Sequence, residues 1–193
     1  MSDSYHHGNL RQALIDAGIK IINESGEANL SLRKVASFCD VSHAAPYAHF
    51  KDKEELIEAI KTSVTEQFME ELKSAVSDAP DAESAILSMG KHYVLFFIKH
   101  PDYFKFLFGG QNVIAHLRPD SECGEDYPPF VLLKETYLKY LDEKGFKKTE
   151  DEKETELLKL WASAHGLAAI ACMSGVETSI DWEEKLSGDL LLN

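Results

Sequence analysis

No stretch of this 193-residue chain is apolar for long enough to span a bilayer, and its opening MSDSYHHGNL lacks the apolar core of a secretory leader. A cytoplasmic protein without membrane attachment is expected. Cysteine is scarce: Cys39, Cys123 and Cys172 are odd in number, far apart, and form no CxxC pair. That pattern supports neither a disulfide framework nor a thiolate zinc site. Acidic neighbours would raise the Cys123 thiol, which argues against redox sensing. Catalytic signatures are missing too, with no P-loop, GxGxxG, GxSxG or HExxH. Eight histidines are present, His6-His7 among them, but none has the spacing of a closed metal site. His92 and His100 lie about two helical turns apart, too far to share an ion unaided. The expectation is a non-enzyme with no catalytic residue, cofactor or metal.

Positive charge is also in short supply. The formal net charge is −13, not the signature of a nonspecific nucleic-acid binder. The deficit is uneven: residues 1–65 hold seven Lys/Arg against nine Asp/Glu, and the remainder holds thirteen against twenty-four. Acidity therefore belongs mainly to the C-terminal part. Any nucleic-acid contact in the N-terminal part would rest on a few aimed residues and weaken steeply with salt. A 44% hydrophobic composition is enough to bury one large core or two small ones.

The most informative segment is residues 31–50, SLRKVASFCDVSHAAPYAHF. They read as two short helices joined by a tight turn, the helix-turn-helix that sets a helix into the DNA major groove. Ser31 caps the first helix, which buries Leu32, Val35, Ala36 and Phe38. Cys39 and Asp40 form the turn, Val41 plugs the angle, and Ser42 caps a second helix carrying His43, Ala44, Ala45, Tyr47 and His49. Arg33 and Lys34 occupy a first turn, where the helix dipole disfavours cations; a DNA phosphate there would remove the conflict. Asp52 and Glu55 have capping-box spacing, which sets Lys53 near Tyr47 and His49 for backbone contacts. Ala44 and Ala45 are small enough to approach thymine methyls, and His43 is the polar base reader. Pro46 lacks the N–H a helix would use, so this helix is expected to begin tightly or irregularly.

This block, with the helix before it and KDKEELIEAI after it, resembles the TetR family of transcriptional regulators. The matching residues are Ala36, Val41-Ser42, Tyr47, His49-Phe50 and Lys53-Glu54. YHHGNLRQAL and the later LWASAHGL, with Trp161, His165 and Gly166, are similar to the subgroup with a WHG-type C-terminal domain. Asp40 stands where many relatives have Gly, and Ala48 where related sequences often have a basic residue. The resemblance implies a ligand-receiving body and dimerisation through the last two long helices. A twofold dimer also follows from physics, because two heads on a palindrome nearly double the contact free energy.

The rest reads as helix. Residues 8–25 place Leu10, Leu14, Ala17, Ile21 and Ile22 on one face, with Gly26 as the stop. A long helix covers 52–77, and further helices are expected at 82–99, 101–108, 129–143, 151–174 and 181–192, with a turn-rich break at 109–128. Within YVLFFIKHPDYFKFLF, Tyr93, Phe96, Phe97, Phe104 and Phe108, joined by Trp161 and His165, either line a cavity for an apolar or aromatic effector or form a solid core. The small-residue run ASAHGLAAIACMSG lets another helix approach closely, whether from the same subunit or its twin. Ala164, Leu167, Ala168, Ala171, Leu186 and Leu190 are the candidate dimer interface.

The sequence thus predicts an all-α protein: a helix-turn-helix DNA-binding domain at 1–51 and a helical ligand-binding and dimerisation domain at 52–193. Its expected partners are double-stranded DNA with a palindromic operator, a second copy of itself, and a small-molecule effector. The expected function is an operator-binding repressor released by an apolar small molecule that shifts the spacing of the heads. The alternative is a DNA-binding protein whose body recruits a protein partner.

Overall fold

The computed structural model describes residues 10–109, 113–120 and 126–186. Those residues form helices and loops, with no strand among them. The helices are α1 (Leu10–Ser25), α2 (Leu32–Phe38), α3 (Lys53–Ser77), α4 (Ala82–Lys99), α5 (Pro101–Phe108), α6 (Pro128–Lys144), α7 (Glu150–Ala171) and α8 (Trp182–Lys185). Two 3-10 turns, Glu27–Asn29 and Ala45–Ala48, complete the elements. The all-α expectation holds. The chain divides into two compact units, residues 1–65 and 66–193.

In the first unit, α1 turns Leu14, Ala17, Ile21 and Ile22 inward, and Leu30, Leu32, Val35, Ala36, Phe50, Leu56, Ile60 and Val64 complete the core. Gly26 ends α1 with φ 78, a backbone region that favours glycine. Gly18 matters for a different reason: a Cβ there would lie 2.4 Å from Ile60 Cδ1, so a side chain at this position requires Ile60 to shift. Phe38 is not buried as the sequence suggested, being 48% exposed with the Lys20 ammonium 5.8 Å from its ring centroid. At about 100° per residue, Cys39 rather than Phe38 continues the inward stripe of Leu32, Val35 and Ala36.

In the second unit, α4 is the central helix and touches α5, α6, α7 and α8. Each helix end has a local cause. Asp81 Oδ1 accepts from Ser84 N at 2.7 Å to open α4, and Pro101 opens α5 after His100 leaves helical geometry. Gly145, at φ 66, closes α6 as Phe146 N donates to Leu141 O at 2.9 Å. Thr149 and Glu152 form a reciprocal capping box at the start of α7. Leu186, just past α8, is buried against Val94 and Leu95, with Ile98, Leu167 and Trp182 around it. The helix expected over 181–192 is seen as Trp182–Lys185; its remainder, Leu190 included, lies outside the described residues.

Candidate nucleic-acid interface

Ser31 takes extended geometry, and its Oγ accepts from Lys34 N at 3.2 Å, so α2 opens where the sequence placed it. Arg33 and Lys34 are exposed. Lys34 Nζ also reaches Ser25 Oγ at 3.3 Å, at the C-terminal end of α1, where a cation meets the negative pole of the helix dipole. That contact relieves part of the charge conflict inferred for the start of α2. The turn follows as expected: Asp40 adopts φ 54, Val41 N closes on Ala36 O at 3.0 Å, and Val41 is half-buried. Cys39 Sγ donates to the Ala13 carbonyl, and burial, reinforced by Asp16 and opposed by Lys20, pushes its thiol pKa up. Such a thiol is poorly nucleophilic.

The segment after Ser42 is not an α-helix. Ala45 N bonds to Ser42 O, Tyr47 N to Ala44 O, and His49 N to Pro46 O, an i to i+3 pattern that makes a 3-10 turn over Ala45–Ala48. Pro46 is the reason, since it supplies no N–H for an α-type bond back to Ser42. Ser42 is consequently not the cap; Ala44 holds that position and makes no side-chain cap bond. Pro46 and Phe50 are buried and anchor the segment, with the Arg11 guanidinium 5.3 Å from the Phe50 ring centroid. Ser42, His43, Ala44, Tyr47 and Ala48 are exposed, while Ala45 and His49 are half-buried. Tyr47, at 56% exposure, is the most open aromatic of the segment.

Entry into α3 is set by Asp52 Oδ1, which accepts from Glu55 N at 2.9 Å. The Glu55 carboxylate reaches the Lys51 N–H at 2.6 Å, one residue upstream of the position a standard capping box uses. Lys53 Nζ reaches the Glu27 carbonyl at 3.4 Å. Ser37, absent from the sequence-level candidates, lies 3.2 Å from His43. Its only sequence signal is a hydroxyl six positions before the histidine, across a turn.

The body departs further from expectation. Tyr93 is buried and its hydroxyl lies 2.9 Å from His165 Nδ1. Burial, aided by Tyr127 and opposed by a hydrogen bond with Trp161, holds the Tyr93 phenol well above its usual pKa. Burial also pushes the His165 imidazole down, favouring its neutral form. The other rings fill space. Phe68 and Phe97 centroids are 4.9 Å apart, Phe97 and Phe104 5.2 Å, Phe104 and His165 4.9 Å, and Phe108 and His165 4.7 Å. Phe96 joins them, 4.8 Å from Phe68 and 5.2 Å from Phe97. A void of about 30 Å³ remains between α4, α6 and α7, lined by Ile86, Met89, Tyr93, Phe130, Trp161 and Ala164 among others, none charged. Of the sequence-predicted pocket residues, Tyr93 and Trp161 line it; Phe96, Phe97, Phe104, Phe108 and His165 do not.

Three predicted dimer residues face inward. Ala164 and Ala168 are buried because the small residues of α7 admit α4 of the same chain, and Leu186 is buried against Val94 and Leu95. Leu167 is half-buried on the Leu186 cluster, and Ala171 is half-buried. The exposed apolar side of α7 instead carries Leu158, Ala162 and Ile170, spaced at multiples of four, and Met173 continues it beyond the helix end. Gly166 falls on the same row, with open space where a Cβ would be.

Comparison with known proteins gives these features a context. Residues 14–60 match the family described as bacterial regulatory proteins, tetR family. A nicotine-responsive transcriptional repressor of the helix-turn-helix type from Paenarthrobacter nicotinovorans is 34% identical over 74 residues, 38% of either chain. The fatty acid metabolism regulator protein of Bacillus subtilis is 28% identical over 83 residues, 42% of this chain and 43% of that one. The match thus spans about two fifths of the length of these curated relatives. A TetR-family transcriptional regulator of known structure from Haemophilus influenzae aligns with a TM-score of 0.61 at 18% identity, covering 95% of this chain and 97% of that one. At that identity the likeness establishes the fold. The chain has a TetR-like fold, and its residues 14–60 match the family of bacterial regulatory proteins described as tetR.

Proposed function

We propose that the protein is a homodimeric transcriptional repressor that binds a palindromic operator through residues 31–53. The observation that carries this reading is the segment Ser42–Ala48, whose His43, Ala44 and Tyr47 side chains stand exposed while Pro46 and Phe50 bury its base. An exposed segment on a rigid footing can enter a groove without a large ordering cost. Arg33, Lys34 and Lys53 supply backbone contacts alongside it, and Ser31, Ser42, Ala45 and His49 flank it. The domain division that goes with this function is a reading head at 1–51 and a body at 52–193. The second copy docks on the Leu158, Ala162, Gly166 and Ile170 row of α7, and the body is of the WHG type. Duplexes selected from a random pool by the purified chain test the reading directly. The Tyr47→Ala, Lys53→Ala double variant should lose them while keeping the mass of a dimer; undiminished retention at moderate salt would refute the assignment.

Release by a neutral apolar molecule fits the uncharged void beside Tyr93 and Trp161, whose polar atoms would orient it. A differential affinity of about 1–3 kcal/mol between bound and free states would change operator affinity about 5–150-fold. One observation favours the second reading, recruitment of a protein partner: the void holds little more than a water molecule, so an effector would have to displace Met89, Phe130 or Trp161. Equal operator affinity across a library of uncharged aromatic and aliphatic compounds would favour that second reading. The nicotine response of the Paenarthrobacter nicotinovorans relative does not carry over, because the identity covers 38% of this chain.

A further inference from the structure

Ser37 has one hydroxyl proton. Within α2 it donates that proton to the Arg33 carbonyl, 3.0 Å away and one turn back, a frequent outlet for a serine inside a helix. The same Oγ lies 3.2 Å from Nε2 of His43. While that proton stays on the Arg33 carbonyl, Ser37 can only accept from the ring, which requires the hydrogen on Nε2. A neutral imidazole protonated at Nε2 presents Nδ1 as an acceptor. Both residues are exposed, and His43 opens the segment that projects from the turn.

We infer that Ser37 is a positioning residue that fixes the Nε2–H form of His43, so that His43 reads a base amino group through Nδ1. This rests on the DNA-binding reading above. In the major groove the base hydrogen-bond donors are the N6 amino group of adenine and the N4 amino group of cytosine, whereas guanine N7 and O6, adenine N7 and thymine O4 accept. The opposite proton arrangement would leave a donor at Nδ1, which pairs with an acceptor (guanine N7 or O6, adenine N7 or thymine O4) and not with an amino group. The two arrangements therefore demand opposite groove chemistry at one position of each half-site.

The test uses the whole chain at pH 8. Selection from a random duplex pool with wild type and with His43→Ala identifies the base pair whose preference depends on His43. At that pair, adenine is replaced by purine or cytosine by pyrimidin-2-one, which deletes only the amino group; a 7-deaza purine at the same pair deletes only an acceptor. Removing the amino group should weaken wild type about 5–10-fold, the worth of one hydrogen bond, and leave His43→Ala unchanged, while the 7-deaza base should cost wild type nothing. Ser37→Ala should lose most of the amino-group penalty with thermal unfolding unaltered, and Ser37→Thr should restore it. A penalty from the 7-deaza base instead, an undiminished amino penalty in Ser37→Ala, or a His43→Ala pool identical to wild type would each overturn the inference while leaving DNA binding intact. A pool with no enrichment would refute DNA binding itself.

Discussion

Alanine at Gly18 puts a methyl where the Ile60 side chain now lies. Its carbon would meet Ile60 Cδ1 at 2.4 Å, Ile60 Cγ1 at 3.3 Å and Leu30 Cδ1 at 3.6 Å. Two effects oppose. Alanine is favoured over glycine in a helix interior by about 1 kcal/mol, whereas forcing a methyl into a packed core costs about 1–3 kcal/mol. Gly18→Ala should therefore destabilise the N-terminal unit by about 0–2 kcal/mol. Ile60→Val removes Cδ1, the nearest clashing atom, at its own cost of about 0.5–1.5 kcal/mol. In the Ile60→Val background the propensity term should win, so the same Gly18→Ala change should become neutral or stabilising. A double-mutant cycle read by amide exchange of α1 isolates this coupling. Exchange is the right probe because both tryptophans, Trp161 and Trp182, belong to residues 66–193. An equal cost of Gly18→Ala in both backgrounds would show that contact with Ile60 is not why glycine is there.

Acid should loosen the body through His165: its folded pKa lies below the ordinary imidazole value, so the stability it contributes is full above about pH 6.5 and is lost as pH falls toward the folded pKa. The Tm of wild type should drop between about pH 7.5 and 5 more than that of His165→Gln; parallel curves would refute this. Asp126 behaves as a depressed carboxylate; burial opposes its charge, but hydrogen bonds from the His116 ring and backbone, helped by Lys134, outweigh that. Asp126→Asn should thus cost stability at neutral pH, with the difference closing as pH falls below about 3.9; a gap that persisted in acid would point to shape rather than charge. Phe68→Ala, at a fully buried ring touching Tyr93, Phe96 and Phe97, should cost about 3–5 kcal/mol in urea titrations. A cost under about 1 kcal/mol would mean the aromatic cluster is not packed as described. Thr149→Ala should remove about 0.5–2 kcal/mol through the α7 capping box, visible as faster amide exchange in its first turn; unchanged exchange there would show that the box contributes nothing.

Local chemistry made much of the fold legible. The helices expected at 82–99 and 101–108 are seen as α4 and α5, and Gly26 marked the stop of α1, because it acts on its own backbone. Ser31 and Asp40 were legible for the same reason. Phase was harder: one residue of rotation separates buried Leu32, Val35 and Ala36 from exposed Phe38. Partner identity was harder still. The small residues of α7 announced a close helix approach, but only coordinates show that α4 of the same chain takes up Ala164 and Ala168. Whether Phe96, Phe97, Phe104 and Phe108 enclose space depends on how every neighbouring ring is turned, which no spacing rule encodes. Ser37 escaped notice because its contact with His43 crosses a turn between two elements.

Backbone amide shifts recorded while a selected operator duplex is titrated into the purified protein would decide whether the N-terminal unit reads DNA. The largest changes should fall on Ser31–Lys34 and Ser42–His49, with Tyr47 among them, and the apolar row of α7 should stay still. Changes centred on α7, with residues 42–49 undisturbed at saturation, would mean that DNA meets another surface.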